Sequence, residues 1–126
     1  MNPQKKLMTT LFAIACLALC ASVFAQGITF TTGQPLNHML NVCLDKADAI
    51  EILKAHEKDG YEAAKEVWEK KEKCDTLPVS GPKVGRVVFS IRSEGKDVKV
   101  VEIVGDEVVG YFITSSPVEA KRDRNA

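Results

Sequence analysis

The hydrophobic and polar positions change rhythm three times along this chain. Residues 7–23 are almost unbroken apolar sequence. Residues 45–73 carry apolar positions at three- and four-residue spacing, the period of a helix. From residue 84 onward the apolar positions alternate in twos, the period of a strand. Within the helical stretch, Ala49, Ile50, Ile52 and Leu53 form the first apolar face. Asp45 and Asp48 both qualify as its N-cap, and Asp48 with Glu51 has capping-box spacing. Asp59-Gly60 supplies the stop, because glycine enters the left-handed region without a Cβ clash. A second helix is predicted over residues 61–73. Tyr61, Ala64, Val67 and Trp68 share one face, while Glu66/Lys70 and Glu69/Lys73 are spaced for ion pairs on the other. So short a turn makes the helices antiparallel.

Three strands are predicted after the helices, over residues 84–92, 97–104 and 108–115. The first should place Val87, Phe89 and Ile91 on one face and Arg86, Val88, Ser90 and Arg92 on the other. Glu94-Gly95-Lys96 and Gly105-Asp106-Glu107 are turns too short for parallel crossovers, so the strands form an antiparallel meander. Apolar residues on both faces of 98–104 imply a sheet that curls, or one covered by the helices. Tyr61, Val67 and Trp68 are expected to face Val87, Phe89 and Val101. Pro78, Gly81 and Pro82 punctuate a connection ahead of the sheet. The fold class is therefore α+β, a helical hairpin packed on a three- to four-stranded antiparallel sheet.

Cysteine placement adds a covalent constraint. Cys43 and Cys74 bracket the two helices, and an antiparallel pair brings those positions together. A disulfide there closes a loop worth roughly 3–4 kcal/mol in the chain-entropy treatment. The remaining two, Cys16 and Cys20, lie in the apolar amino-terminal run. That run, after Lys5 and Lys6 and before Val23-Phe24-Ala25, has the layout of a secretory signal cleaved after Ala25. As a membrane anchor it stands at the short limit of a spanning helix. Ala15-Cys16 is a poor match to a lipidation site. The chain so divides into a signal peptide (1–25), a loop or short strand (26–41), the bracketed helices (42–75), the meander (76–118) and a disordered tail (119–126). Residues 27–30 are the candidate for the short strand.

Charge narrows the partner classes. The chain has 17 basic and 17 acidic residues; loss of Lys5 and Lys6 leaves 15 against 17, a net charge of −2. Nothing in that balance marks a nucleic-acid surface. Candidate chemistry is sparse. His38 and His56 are the two imidazoles, His38 in a loop and His56 on the helix surface near its C-terminus, where positive charge is favoured. Neither stands in a recognisable catalytic pattern, and no Gly-x-Ser-x-Gly motif occurs. Cys43, Cys74, His38 and His56 are zinc ligands by type, but without the short paired spacing of a chelate. No catalytic, metal or cofactor residue is therefore assigned. Trp68 reads as core. Arg86, Arg92 and Lys99 form the candidate binding surface.

The order of helical pair, disulfide and meander resembles the SH3-like small barrels of exported bacterial proteins. The resemblance covers residues 77–118 and rests on strand order, so it implies a barrel-like fold and carries no functional residue. The expectation is a secreted or periplasmic, non-catalytic binding or accessory module of the envelope. Its partner would be an envelope or extracellular protein, met through a sheet edge open to strand addition. No membrane span would remain after cleavage. The alternative is a secreted enzyme inhibitor or a small hydrolase without a recognisable motif.

Overall fold

A computed structural model of the chain describes residues 27–121. The expected signal sequence and cleavage site, and the residues beyond Lys121, lie outside the described residues. The elements run β1 (Phe30–Thr31), β2 (Pro35–Cys43), α1 (Lys46–Asp59), α2 (Tyr61–Lys70), β3 (Cys74–Ser93), β4 (Lys96–Val104), β5 (Val108–Thr114) and β6 (Val118–Glu119). Strands β2, β3, β4 and β5 close an antiparallel barrel in that order, and β1 pairs with β6 in a short parallel ladder. The fold is α+β, as expected.

Closure depends on β3, which is 20 residues long. Its first half pairs with β2 and its second half with β4. Register slips between Val84 and Val87, and again between Val87 and Phe89, insert extra residues that bend the strand around the barrel. Gly85 lies inside the first slip. A Cβ there would stand 2.7 Å from the Glu102 Cβ and 2.8 Å from Val104 Cγ2, so the close approach of β4 needs glycine. The expected connection at Pro78, Gly81 and Pro82 is strand instead. Pro78 tolerates this because its missing donor faces the side away from β2, and Gly81, at φ 108°, sits beside a further slip.

Strand β2 also replaces an expected loop. Its inward residues are Leu36, Leu40 and Val42, a period of two interrupted by the half-buried His38. Glu119, expected in the tail, is hydrogen-bonded strand: its carbonyl accepts from Thr32 N–H at 2.9 Å.

Apolar residues on both sheet faces serve two cores. Phe30, Leu36, Leu40, Val42, Val84, Val101, Ile103 and Phe112 fill the barrel. Cys43, Ile91, Val98 and Val100 face outward, under Ala49, Ile52 and Leu53 of α1 and Ala64 of α2. Curling and helical cover, posed as alternatives by the sequence, thus occur together. The expected facing pairs need correction. Val67, Trp68 and Phe89 do join the outer core, but Tyr61 is 58 % exposed and Val87 39 % exposed, while Val101 belongs to the barrel interior. Helix α1 lies closer to the sheet than α2, and the slips on either side of Val87 disturb the alternation there.

Cys43 and Cys74 form the disulfide, fully buried, between directly opposed residues of β2 and β3. Asp45, one of the two expected candidates, is the N-cap residue of α1, but its side chain makes no capping hydrogen bond. The Asp45 carboxylate accepts from Lys73 at 3.2 Å, and Asp48 and Glu51 both pair with Lys71. The start of α1 therefore lies beside the end of α2. Helix α2 stops at Lys70, so Lys73 pairs with Asp45 rather than with Glu69 along a helix.

Candidate functional site

The β3–β4 connection, Glu94-Gly95, is a two-residue turn with both residues at positive φ, 53° and 77°. That geometry matches the right-handed twist of the strands it joins. One side of this turn is wedged into the α1–α2 junction. The Ser93 hydroxyl donates to the His56 carbonyl at 2.9 Å, and Tyr61 N–H donates to Glu94 Oε1 at 3.1 Å. The end of one helix and the start of the next are both satisfied from the barrel.

The other side of the turn borders an open concavity of about 590 Å³. Arg92, Lys96 and Lys99 line it together with Asp97, and Ser115, Pro117 and Val118 form its far wall. Lys99 lies on the same face of β4 as Val101 and Ile103, which point into the barrel. The concavity is therefore a mouth of the barrel, flanked by the β5–β6 connection. Arg92 Nη1 donates to Asp97 Oδ1 at 3.0 Å. Half-buried Lys99 is held differently: its ammonium donates to two backbone carbonyls, Ser116 O at 2.9 Å and Asp97 O at 3.3 Å.

Two of the three residues expected to share a binding surface thus meet, and the third does not. Arg86 lies at a separate, smaller concavity of about 270 Å³ with Lys46, Val87 and Val88. Its Nε is 3.4 Å from Glu102 Oε1. The slips between Arg86 and Arg92 interrupt the simple alternation that put them on one face. Lys96, read as a turn residue, belongs to the site. Its signal was the spacing of Arg92, Lys96 and Lys99 on either side of a tight turn, which brings adjacent strand ends together.

The histidines stand apart from this mouth. His38 lies in β2 rather than in a loop, with its ring edge-on to Phe30 at 5.3 Å and Nδ1 accepting from Asn37 N–H at 3.3 Å. His56 is half-buried rather than on the surface, because the β3–β4 turn and Tyr61 close over the end of α1. Its Nδ1 is buried with no partner among the described residues. The cysteines, bonded to each other, are not thiolate ligands. Among the described residues no group of three or more His, Cys, Asp and Glu is placed to hold a metal ion.

Along the first half of β3, the backbone donors on the side away from β2 are engaged or absent. The disulfide and Pro78 mark Cys74, Thr76 and Pro78 as the residues whose backbone faces away from β2. Cys74 N–H points to Lys71 O at 3.5 Å, Thr76 N–H is taken by Asp75 Oδ1 at 2.8 Å, and Pro78 has none. This is an edge with its donors blocked.

Among the described residues no helix is long and apolar enough to cross a membrane. No protein-family model matches the chain, and neither a curated protein nor a solved structure matches it.

Proposed function

We propose that this chain is an exported, non-catalytic binding or accessory module of the cell envelope that meets its partner at the barrel mouth beside the β3–β4 turn. The observation that carries this reading is the convergence of Arg92, Lys96 and Lys99 on one open concavity. Barrel mouths are recurrent ligand sites, since strand ends supply polar groups above a rigid apolar floor. The disulfide supports export, because such bonds persist in oxidising compartments. We read the helices as a disulfide-closed hairpin, on the pairing of Lys71 with Asp48 and Glu51, and the closed barrel as one of the SH3-like kind.

Site-specific photo-crosslinking in envelope fractions tests the reading. A photoreactive residue at position 96 is expected to capture a discrete partner that the same residue at position 46 does not. Capture at both positions alike, or at neither, would sink the proposal.

A further inference from the structure

The electrostatics of the barrel mouth point to a ligand class. Three cations line it against one carboxylate, and that carboxylate, Asp97, is engaged with Arg92. Lys99 is the most informative of them. Lys99 is half-buried, and among the described residues its ammonium is paired with no carboxylate. What it meets instead are two neutral carbonyls, which pin the nitrogen without cancelling its charge. A lysine ammonium has three donors, so two fix its place and one is left for a bound group. Lys96, exposed on the rim, adds a second unconstrained cation.

We propose that this mouth binds a phosphate group carried on an organic moiety. It deepens the binding reading above and rests on the same site. The lining carries Arg92, Lys96 and Lys99 against Asp97, a net charge of +2, which matches a phosphate monoester of roughly −1.5 to −2 near neutral pH. Two lysines acting as compact point charges suit a tetrahedral anion. A planar carboxylate would instead call on the guanidinium fork, one nitrogen of which Asp97 already engages. The Ser115 hydroxyl stands on the same lining, and Pro117 and Val118 give the organic part an apolar wall. A concavity of about 590 Å³ has room for that part beside the phosphate. A phosphorylated solute and a phosphorylated lipid headgroup share this chemistry.

The test is amide NMR on the full, disulfide-intact chain titrated with glycerol 3-phosphate, alongside co-sedimentation with phosphatidylcholine vesicles with and without phosphatidic acid. Expected are saturable shifts centred on Gly95, Lys96 and Ser115, weakened by added salt. Lys99→Met keeps the aliphatic stem and is expected to weaken binding at least ten-fold. Lys96→Gln, at an exposed position that leaves packing intact, should weaken it several-fold, and Lys46→Gln should leave it unchanged. Saturation by the soluble ester alone identifies a solute as the source. Sedimentation that depends on phosphatidic acid and is competed by the soluble ester identifies a headgroup. The proposal is overturned if neither probe binds, if shifts fall elsewhere, or if Lys96→Gln and Lys46→Gln behave alike. Phosphate binding without a crosslinked partner would remove the protein-partner reading and leave this one. A partner captured at position 96 without phosphate binding would do the reverse.

Discussion

Lys71 shows how one side chain couples distant parts of this chain. Its ammonium bonds the Glu51 carboxylate and lies 3.5 Å from Asp48. The hydrogen bond to Glu51 is the main cause that raises the Lys71 pKa above the ordinary lysine value. Desolvation opposes the rise, and the negative charges of Glu51 and Asp48 add to it. The sign of the linkage follows: a raised pKa in the folded state means that the charged form is favoured by folding. This contribution is whole below the unfolded lysine pKa, roughly 10.4, and is lost as pH climbs through the higher folded value. In urea unfolding followed from neutral to strongly alkaline pH, Lys71→Met should therefore flatten part of the alkaline decline. An identical decline in both proteins would show that the pair is not its source. The same two carboxylates, read along the sequence, have the spacing of a capping box. Local pattern supplies the candidate donors and acceptors, but not which distant cation will arrive to claim them.

At the scale of elements, the β3–β4 turn joins barrel to helices. Ser93 and Glu94 satisfy the α1–α2 junction from one side of the turn, while Arg92 and Lys96 border the mouth on the other. Glu94 holds a positive φ, 53°, so a test of its side chain must not add backbone strain. Glu94→Asn tolerates that conformation and is too short to keep the bond to Tyr61. The expected loss is about 1 kcal/mol, typical of a helix cap, with faster hydrogen exchange in the first turn of α2 and unchanged protection in β2. Unchanged exchange at Tyr61 and Glu62 would show that the cap is not supporting the helix. The turn was legible in Glu94-Gly95 flanked by alternating residues, and so were most of β4 and β5. The long strand β3 was not, because proline and glycine mark chain breaks locally and are tolerated where a strand is bulged or has a free edge. Nor was β2, whose apolar alternation is broken by His38 at an inward position and Met39 at an outward one.

For the molecule as a whole, the disulfide ties the two strands from which the helices depart, 31 residues apart in sequence. Cys43→Ser and Cys74→Ser should each lower stability by roughly 3–4 kcal/mol in unfolding experiments without reductant. The double variant should be no worse than either single one, because both changes remove the same bond. A double variant much less stable than both would mean that the sulfurs act separately. By itself the sequence determined the α+β class, both helices, the tight turn, the cysteine pairing and the two-sided apolar character of the later strands. Each of these rests on local periodicity, turn chemistry or a short list of possible partners. Only the tertiary structure decided that the sheet closes into a barrel, that α1 lies closer to it than α2, and that Lys96 rather than Arg86 joins Arg92 and Lys99. Closure and the separation of Arg86 depend on the slips in β3, which bend the strand and disturb its alternation between Val84 and Phe89. A slip of one residue reverses facing without changing the hydrophobic pattern that encodes the strand.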